Sequence, residues 1–307
     1  EFIMEDGKIL NCTAVKETGI VSGYGGAVYI KGTNNPTFTM SGGEISNCTS
    51  NADGGAIYLE GGTVSLSGGT ISNNLAEGGN GGGIYIKEGS FTMTDEGTAS
   101  ITQNSAILRK GTGGKGGGLY VTSARDNVSV DIYSGNIQKN TSDRLGGGVC
   151  VEMPSTGSVA ANGVVGTSAS TGPDISSNHT LLSGGGLYVS GSQSRITING
   201  GRIMGNTTSA YVSNENVANE GGTVTLNGGD VTHNVVTFYM NDGSDRSDTQ
   251  NIVTATNSML VTPNYDRTGY ILTGWNTRSD GRGTSYTNGQ TMRITADIEL
   301  YAQWELR

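Results

Sequence analysis

The string Gly-Gly-(Ala/Gly)-(Val/Ile/Leu)-Tyr-(Val/Ile/Leu) recurs down this chain, and repetition at a regular spacing restricts it to a stack of like units. Copies begin at Gly25, Gly54, Gly81, Gly116, Gly146 and Gly184, with Cys150 in the tyrosine slot of the fifth. A second string, (Ile/Val)-x-x-Asn, falls between them and ends at Asn74, Asn104, Asn140, Asn178, Asn206 and Asn234. Two earlier copies, Ile9 to Cys12 and Ile45 to Cys48, carry cysteine there instead. The seven steps from Ile9 to Val231 give a mean period of about 32 residues, in the range of solenoids.

Each period holds a third short segment with period-two alternation, such as Phe38-Thr39-Met40, Phe91-Thr92-Met93 and Val224-Thr225-Leu226. Alternation puts the apolar residues on one face and Thr or Ser on the other. Three brief strands per period, separated by Gly-rich bends, predict an all-β chain. The expected fold is a right-handed parallel β-helix of about eight coils over residues 1–234, roughly 40 Å long at ~4.8 Å per coil. Glycine supplies the positive φ and close approach that coil corners need. Asparagine repeated at one corner is read as a structural ladder of Asn74, Asn104, Asn140, Asn178, Asn206 and Asn234, each amide bonding the coils above and below.

Composition narrows the function classes. Gly makes up 52 of 307 residues, but only 4 Pro and the absence of a strict Gly-x-y period exclude collagen. The net charge is −9 and no basic cluster exceeds Arg109-Lys110, so nucleic acid is not an expected partner. No apolar stretch approaches the length of a membrane span. The chain opens in mid-repeat and reads as a piece of a longer protein, so a missing address signal carries no information.

Cys12 and Cys48 occupy the same column in adjacent coils, within disulfide reach; stacked free thiols are the alternative. The motifs of catalysis are sparse. Asp53, Asp126, Asp131, Asp143, Asp174 and Asp230 fall at differing offsets from the repeat, and His179 and His233 are the two histidines. Paired carboxylates facing one groove are not implied, so no catalytic residue, cofactor or metal ligand is assigned. Asp242, Asp245 and Asp248 lack the order of a calcium loop and read as an acidic hairpin.

Two features remain as ligand-binding candidates. If Val28 and Ile30 point inward, Tyr29, Tyr58, Tyr85, Tyr120 and Tyr188 stand outward on one face, as a stacking ladder or as a platform for sugar rings. Insertions after the Asn column emerge along one edge, and variable loops on a rigid scaffold commonly bind. Leu108, Arg109, Lys110 and Tyr211 are the contact residues expected there.

The alternation of Gly-Gly-Ala-(Ile/Leu/Val) with x-x-Asn over residues 6–234 resembles the repeat pair of chlamydial polymorphic outer-membrane proteins. It is similar, too, to repeat-built adhesin-like proteins of gut and oral bacteria. Ile or Val here replaces the Phe those repeats favour. Residues 235–307 differ in composition. They carry Thr268-Gly269-Tyr270-Ile271-Leu272-Thr273-Gly274-Trp275 and Leu300-Tyr301-Ala302-Gln303-Trp304, similar to the Listeria–Bacteroides repeat, the B-repeat type of internalins. That resemblance implies a small β-grasp-like module of bacterial surface proteins. Together they imply a secreted adhesin at the bacterial cell surface. It would be monomeric and non-enzymatic, and bind a glycan or protein on a host or neighbouring cell. The alternatives are a polysaccharide lyase or glycoside hydrolase on the same scaffold, and a passive stalk.

Overall fold

The computed structural model describes residues 1–15, 23–32, 34–154, 159–167, 172–209, 216–254 and 257–307. These form two compact units, Glu1–Val231 and Thr232–Arg307, built of strands without a helix.

The first unit is a parallel β-helix. One eight-stranded sheet takes a strand from each coil, from Lys8–Leu10 to Asp230–Val231, in sequence order. Its register stacks Ile9, Ile45, Ile71, Ile101, Ile137, Ile175, Ile203 and Val231 in one column. A thirteen-stranded sheet holds two further columns, the Tyr row and the Phe/Val row. These run together in the ten-residue strands Ile57–Leu66 and Ile84–Met93. Lumen-facing Phe38, Met40, Phe91, Met93, Ile132 and Ile198 are buried, as is the isoleucine column from Ile45 to Val231. Parallel stacking thus turns the short apolar strands into continuous ladders of like side chains.

Each regular coil carries four short strands where sequence reading expects three. The extra one is a two- or three-residue piece just after the Asn corner, as at Thr49–Ser50, Leu75–Glu77 and His179–Thr180. These pieces form their own parallel sheet. They are too short and too polar for alternation to reveal, because their inward residue is Ser, Ala or Thr.

The second glycine of the Gly-Gly string sits where adjacent coils leave no room for a side chain. A Cβ on Gly55 would collide with the carbonyl oxygen of Gly82, and one on Gly82 with that of Gly117. Adjacent coils approach there backbone to backbone, which only glycine permits.

The second unit is a mixed five-stranded sheet. Its order is Ser247–Val253, His233–Tyr239, Ile298–Leu306, Tyr270–Asn276 and Ser285–Tyr286. The central pair runs parallel, with Val236 opposite Ile298 and Phe238 opposite Leu300. Asn257–Met259 and Thr291–Arg293 add a small antiparallel pair. Phe238 meets Trp275 edge-on at 4.8 Å in a core completed by Val236, Tyr265, Leu300 and Ala302. Both indole N–H groups donate at 2.8 Å, Trp275 to Asn288 Oδ1 and Trp304 to the Met240 carbonyl. The conspicuous aromatics of the Gly-Trp and Ala-x-Trp strings are therefore parts of one core.

Candidate functional site

The asparagine column lies inside the first unit. Asn74, Asn104, Asn140, Asn178 and Asn206 are buried, and each side-chain nitrogen donates to an isoleucine carbonyl of the preceding coil at 2.8–3.1 Å. Each of these side-chain oxygens also accepts the backbone N–H of the ladder residue before it, beginning with Cys48. Asn234 does not extend the ladder. After Val231 the chain enters the strand His233–Tyr239, which pairs within the second unit, so no corner forms there. Asn216 closes the ladder instead, accepting both donors of Asn206 at 3.1 Å.

The residue just before the column turns left-handed in successive coils: Asn11, Asn47, Asn73, Gln103, Lys139, Ser177 and Gly205 all have φ between 54° and 67°. Asn and Gly adopt this region most readily, which accounts for four of those seven residues.

Cys12 and Cys48 are not bonded to each other; Cys48, Cys12 and Cys150 are free thiols. The thiol of Cys48 instead faces the Ser46 carbonyl at 3.3 Å, and burial pushes its ionisation upward.

The tyrosine column does not stand in solvent. Tyr58, Tyr85, Tyr120 and Tyr188 are only 3–8% exposed and pack with Cys150 and Ala218 in a second apolar cluster. Rings of successive coils stack at 4.9 and 5.1 Å, Tyr58 on Tyr85 and Tyr85 on Tyr120. The preceding glycines close over them: a Cβ on Gly116 would reach 2.6 Å from Tyr120 Cβ. Both faces of the Tyr strand are thus buried, which alternation alone does not reveal. Three of the phenols end in carboxylates: Tyr29 donates to Glu60, Tyr120 to Glu152 and Tyr188 to Glu220, each at 2.8 Å. Lys115 clasps Glu152 at 2.6 Å and Lys87 clasps Glu60 at 2.7 Å. Only Tyr29 of the five offers a large free surface, at 47% exposure. Four of the five rings therefore have no face for a sugar; the column is a structural cluster.

The loop edge does stand out. Ser105–Arg109 runs into an antiparallel hairpin with Thr112–Gly113, turned by Lys110 and Gly111, both at positive φ. Leu108 is 42% exposed, its N–H donating to Asp143 Oδ2 at 2.8 Å, while Arg109 pairs with Glu77. Two coils on, beside the same sheet, Leu181 and Leu182 are 43% and 46% exposed, and the Leu182 N–H donates to the Arg144 carbonyl. Leu108, Leu181 and Leu182 with Asp143 and Arg144 form a mixed apolar and charged edge. Tyr211 lies outside the described residues.

Sequence reasoning missed one concavity, an open groove of about 570 Å3 lined by Asp95, Thr98, Tyr133, Asn136 and Asp174. Its signal was available in the turn that precedes the isoleucine strand, which is lengthened in two coils. Among the described residues no group of three or more His, Cys, Asp or Glu is placed to hold a metal ion.

Comparison with known families matches the Listeria-Bacteroides repeat domain to residues 235–303. This repeat points to a surface-associated protein. A curated protein from Evansella cellulosilytica, described as a putative Gly-rich membrane protein, is 40% identical over 72 residues. That stretch is 21% of this chain and 8% of the relative, so the chain spans only a small part of that protein's length. No solved structure matches. No helix among the described residues is long and apolar enough to cross a membrane.

Proposed function

We propose that this chain is the displayed, non-enzymatic binding region of a secreted bacterial adhesin, held at the cell surface and engaging an extracellular protein or glycan through its loop edge. The observation that carries the reading is the edge at which Leu108, Leu181 and Leu182 stand exposed beside Asp143 and Arg144. The rigid interior supports it, since Asn and Tyr columns lock the coils and leave recognition to what projects. The Listeria-Bacteroides repeat and the likeness to a Gly-rich membrane protein support a location at the cell surface. Binding of the purified chain to an array of matrix proteins, mucins and glycans tests the reading. Saturable binding weakened by Leu108→Asp with Leu182→Asp supports it; an array without binding counts against it. Release of reducing or unsaturated ends from pectin, alginate or hyaluronan would favour a polysaccharide-cleaving enzyme instead.

A further inference from the structure

The turn between the Phe/Val-row strand and the isoleucine strand has three residues in six coils, for example Ser41–Gly43 and Tyr133–Gly135. It has six in Thr94–Ala99 and eight in Gly166–Pro173, and these two coils flank the one that carries Tyr133. The groove of about 570 Å3 lies across these three coils. Asp95, Glu96 and Thr98 line it from one long turn, Thr167 and Gly172 from the other, and Tyr133 from the short turn between. The residues at the register of Tyr133 in the flanking coils are Thr94 and Gly166, so the aromatic side chain of this column is the one that lines the groove.

The site is held from within the fold. Ser134 Oγ donates to the carbonyls of Thr94 and Gly97 at 2.6 and 2.8 Å, tying the wall to the floor. Asp174 accepts from Gln138 at 2.8 Å and from Arg202 at 3.2 Å, which fixes its carboxylate at the rim. Burial, followed by the carboxylates of Asp131 and Asp95, pushes the Tyr133 phenol upward, so it remains a neutral hydroxyl at physiological pH.

From this geometry we infer that the groove is a binding site for a neutral sugar residue, with Tyr133 as the packing surface for the pyranose ring and Asp95, Asn136 and Asp174 as hydrogen-bond partners of its hydroxyls. A pyranose has an apolar C–H face and a rim of hydroxyls, and this lining supplies one partner for each. Carboxylates and amide oxygens accept from hydroxyls, and the Asn136 amide also donates. Charge decides the class of sugar. Asp95 and Glu96 add two negative charges beside an Asp174 already paired with Arg202, so sialylated, uronic or sulfated sugars meet repulsion. The groove is separate from the loop edge and does not depend on that edge binding anything.

Saturation-transfer NMR of the full chain with methyl glycosides of galactose, glucose, mannose and N-acetylglucosamine tests the inference, with sialyl and glucuronyl glycosides alongside. Transfer to ring C–H protons of at least one neutral glycoside is expected, with none to the acidic ones. Tyr133→Ala should weaken binding at least tenfold and Asp95→Asn several-fold. Tyr133→Phe should bind within a few-fold of wild type, and Tyr133→Trp should bind tighter with a sugar-dependent emission change. The Trp gain reads the site even if the Ala variant is poorly folded. Leu108→Asp with Leu182→Asp should leave the sugar signal intact. No transfer from any neutral glycoside at millimolar concentration, or binding unchanged in Tyr133→Ala, would overturn the assignment.

Discussion

Asn140 Oδ1 accepts two hydrogen bonds from Asn104, one from its backbone nitrogen at 2.9 Å and one from its side-chain nitrogen at 3.0 Å. Asn140 in turn donates from Nδ2 to Ile101 O and to Asn178 Oδ1. Every donor and acceptor of the amide is used, at a site without solvent to replace it. Asn140→Ala therefore orphans the Asn104 and Ile101 groups of the preceding coil and leaves Asn178 Oδ1 with only the Asn140 backbone N–H, each orphaned group costing about 1–3 kcal/mol. We expect a total loss of about 3 kcal/mol or more, with faster amide exchange at Asn104 and Asn178. Asn234→Ala, outside the ladder, should cost under about 1 kcal/mol. Equal effects on denaturant melting would contradict the ladder.

The glycine column gives a second contrast. Gly82→Ala places a Cβ against the Gly117 carbonyl and the Ser105 backbone, in a stack whose coils repeat the same contact and cannot yield. Overpacking of this kind costs about 1–3 kcal/mol. Gly205 sits at φ 67° with open space for 4 Å around the position a Cβ would take, and its counterparts in other coils include Asn47 and Asn73. Gly205→Asn should thus change the melting temperature little, whereas Gly82→Ala should lower it clearly. A Gly82→Ala chain as stable as wild type would mean the coils do not approach so closely.

Glu60 links the tyrosine column to pH. The Lys87 ammonium above all, with help from Tyr29 and Lys31, holds its carboxyl down to about 2 from an ordinary 4.5. A carboxyl lowered in the folded state stabilises it fully above the ordinary value and loses that contribution as pH falls toward 2. Wild type should therefore lose stability faster than Glu60→Gln between pH 4.5 and pH 2, and the gap between them should close. Parallel melting curves across that range would show that the Lys87 pair contributes nothing.

Periodicity carried the coil register because stacking makes like residues meet: Ile71 lies beside Ile101 because the strings containing them are the same. It carried the Asn column for the same reason. It did not carry the environment of Tyr85. Outward from the lumen normally means solvent, but here the glycine corners fold over the outer face and bury the ring. Asn234 matched the string yet left the ladder, since a corner needs a further coil to turn into and the chain goes into a different sheet. The groove at Tyr133 was legible only as turn length, a signal that residue type does not show.

The division of labour between a closed interior and a projecting edge is tested most directly by one comparison on the matrix-protein and glycan array. Wild type, Tyr85→Phe and the Leu108→Asp with Leu182→Asp chain are applied at equal concentration after equal melting temperatures are verified. Tyr85→Phe keeps the buried ring and should bind as wild type does. The doubly charged edge should lose binding at least tenfold. Unchanged binding by the edge variant, together with loss of binding in Tyr85→Phe, would contradict that division, because recognition would then lie in the column the structure buries.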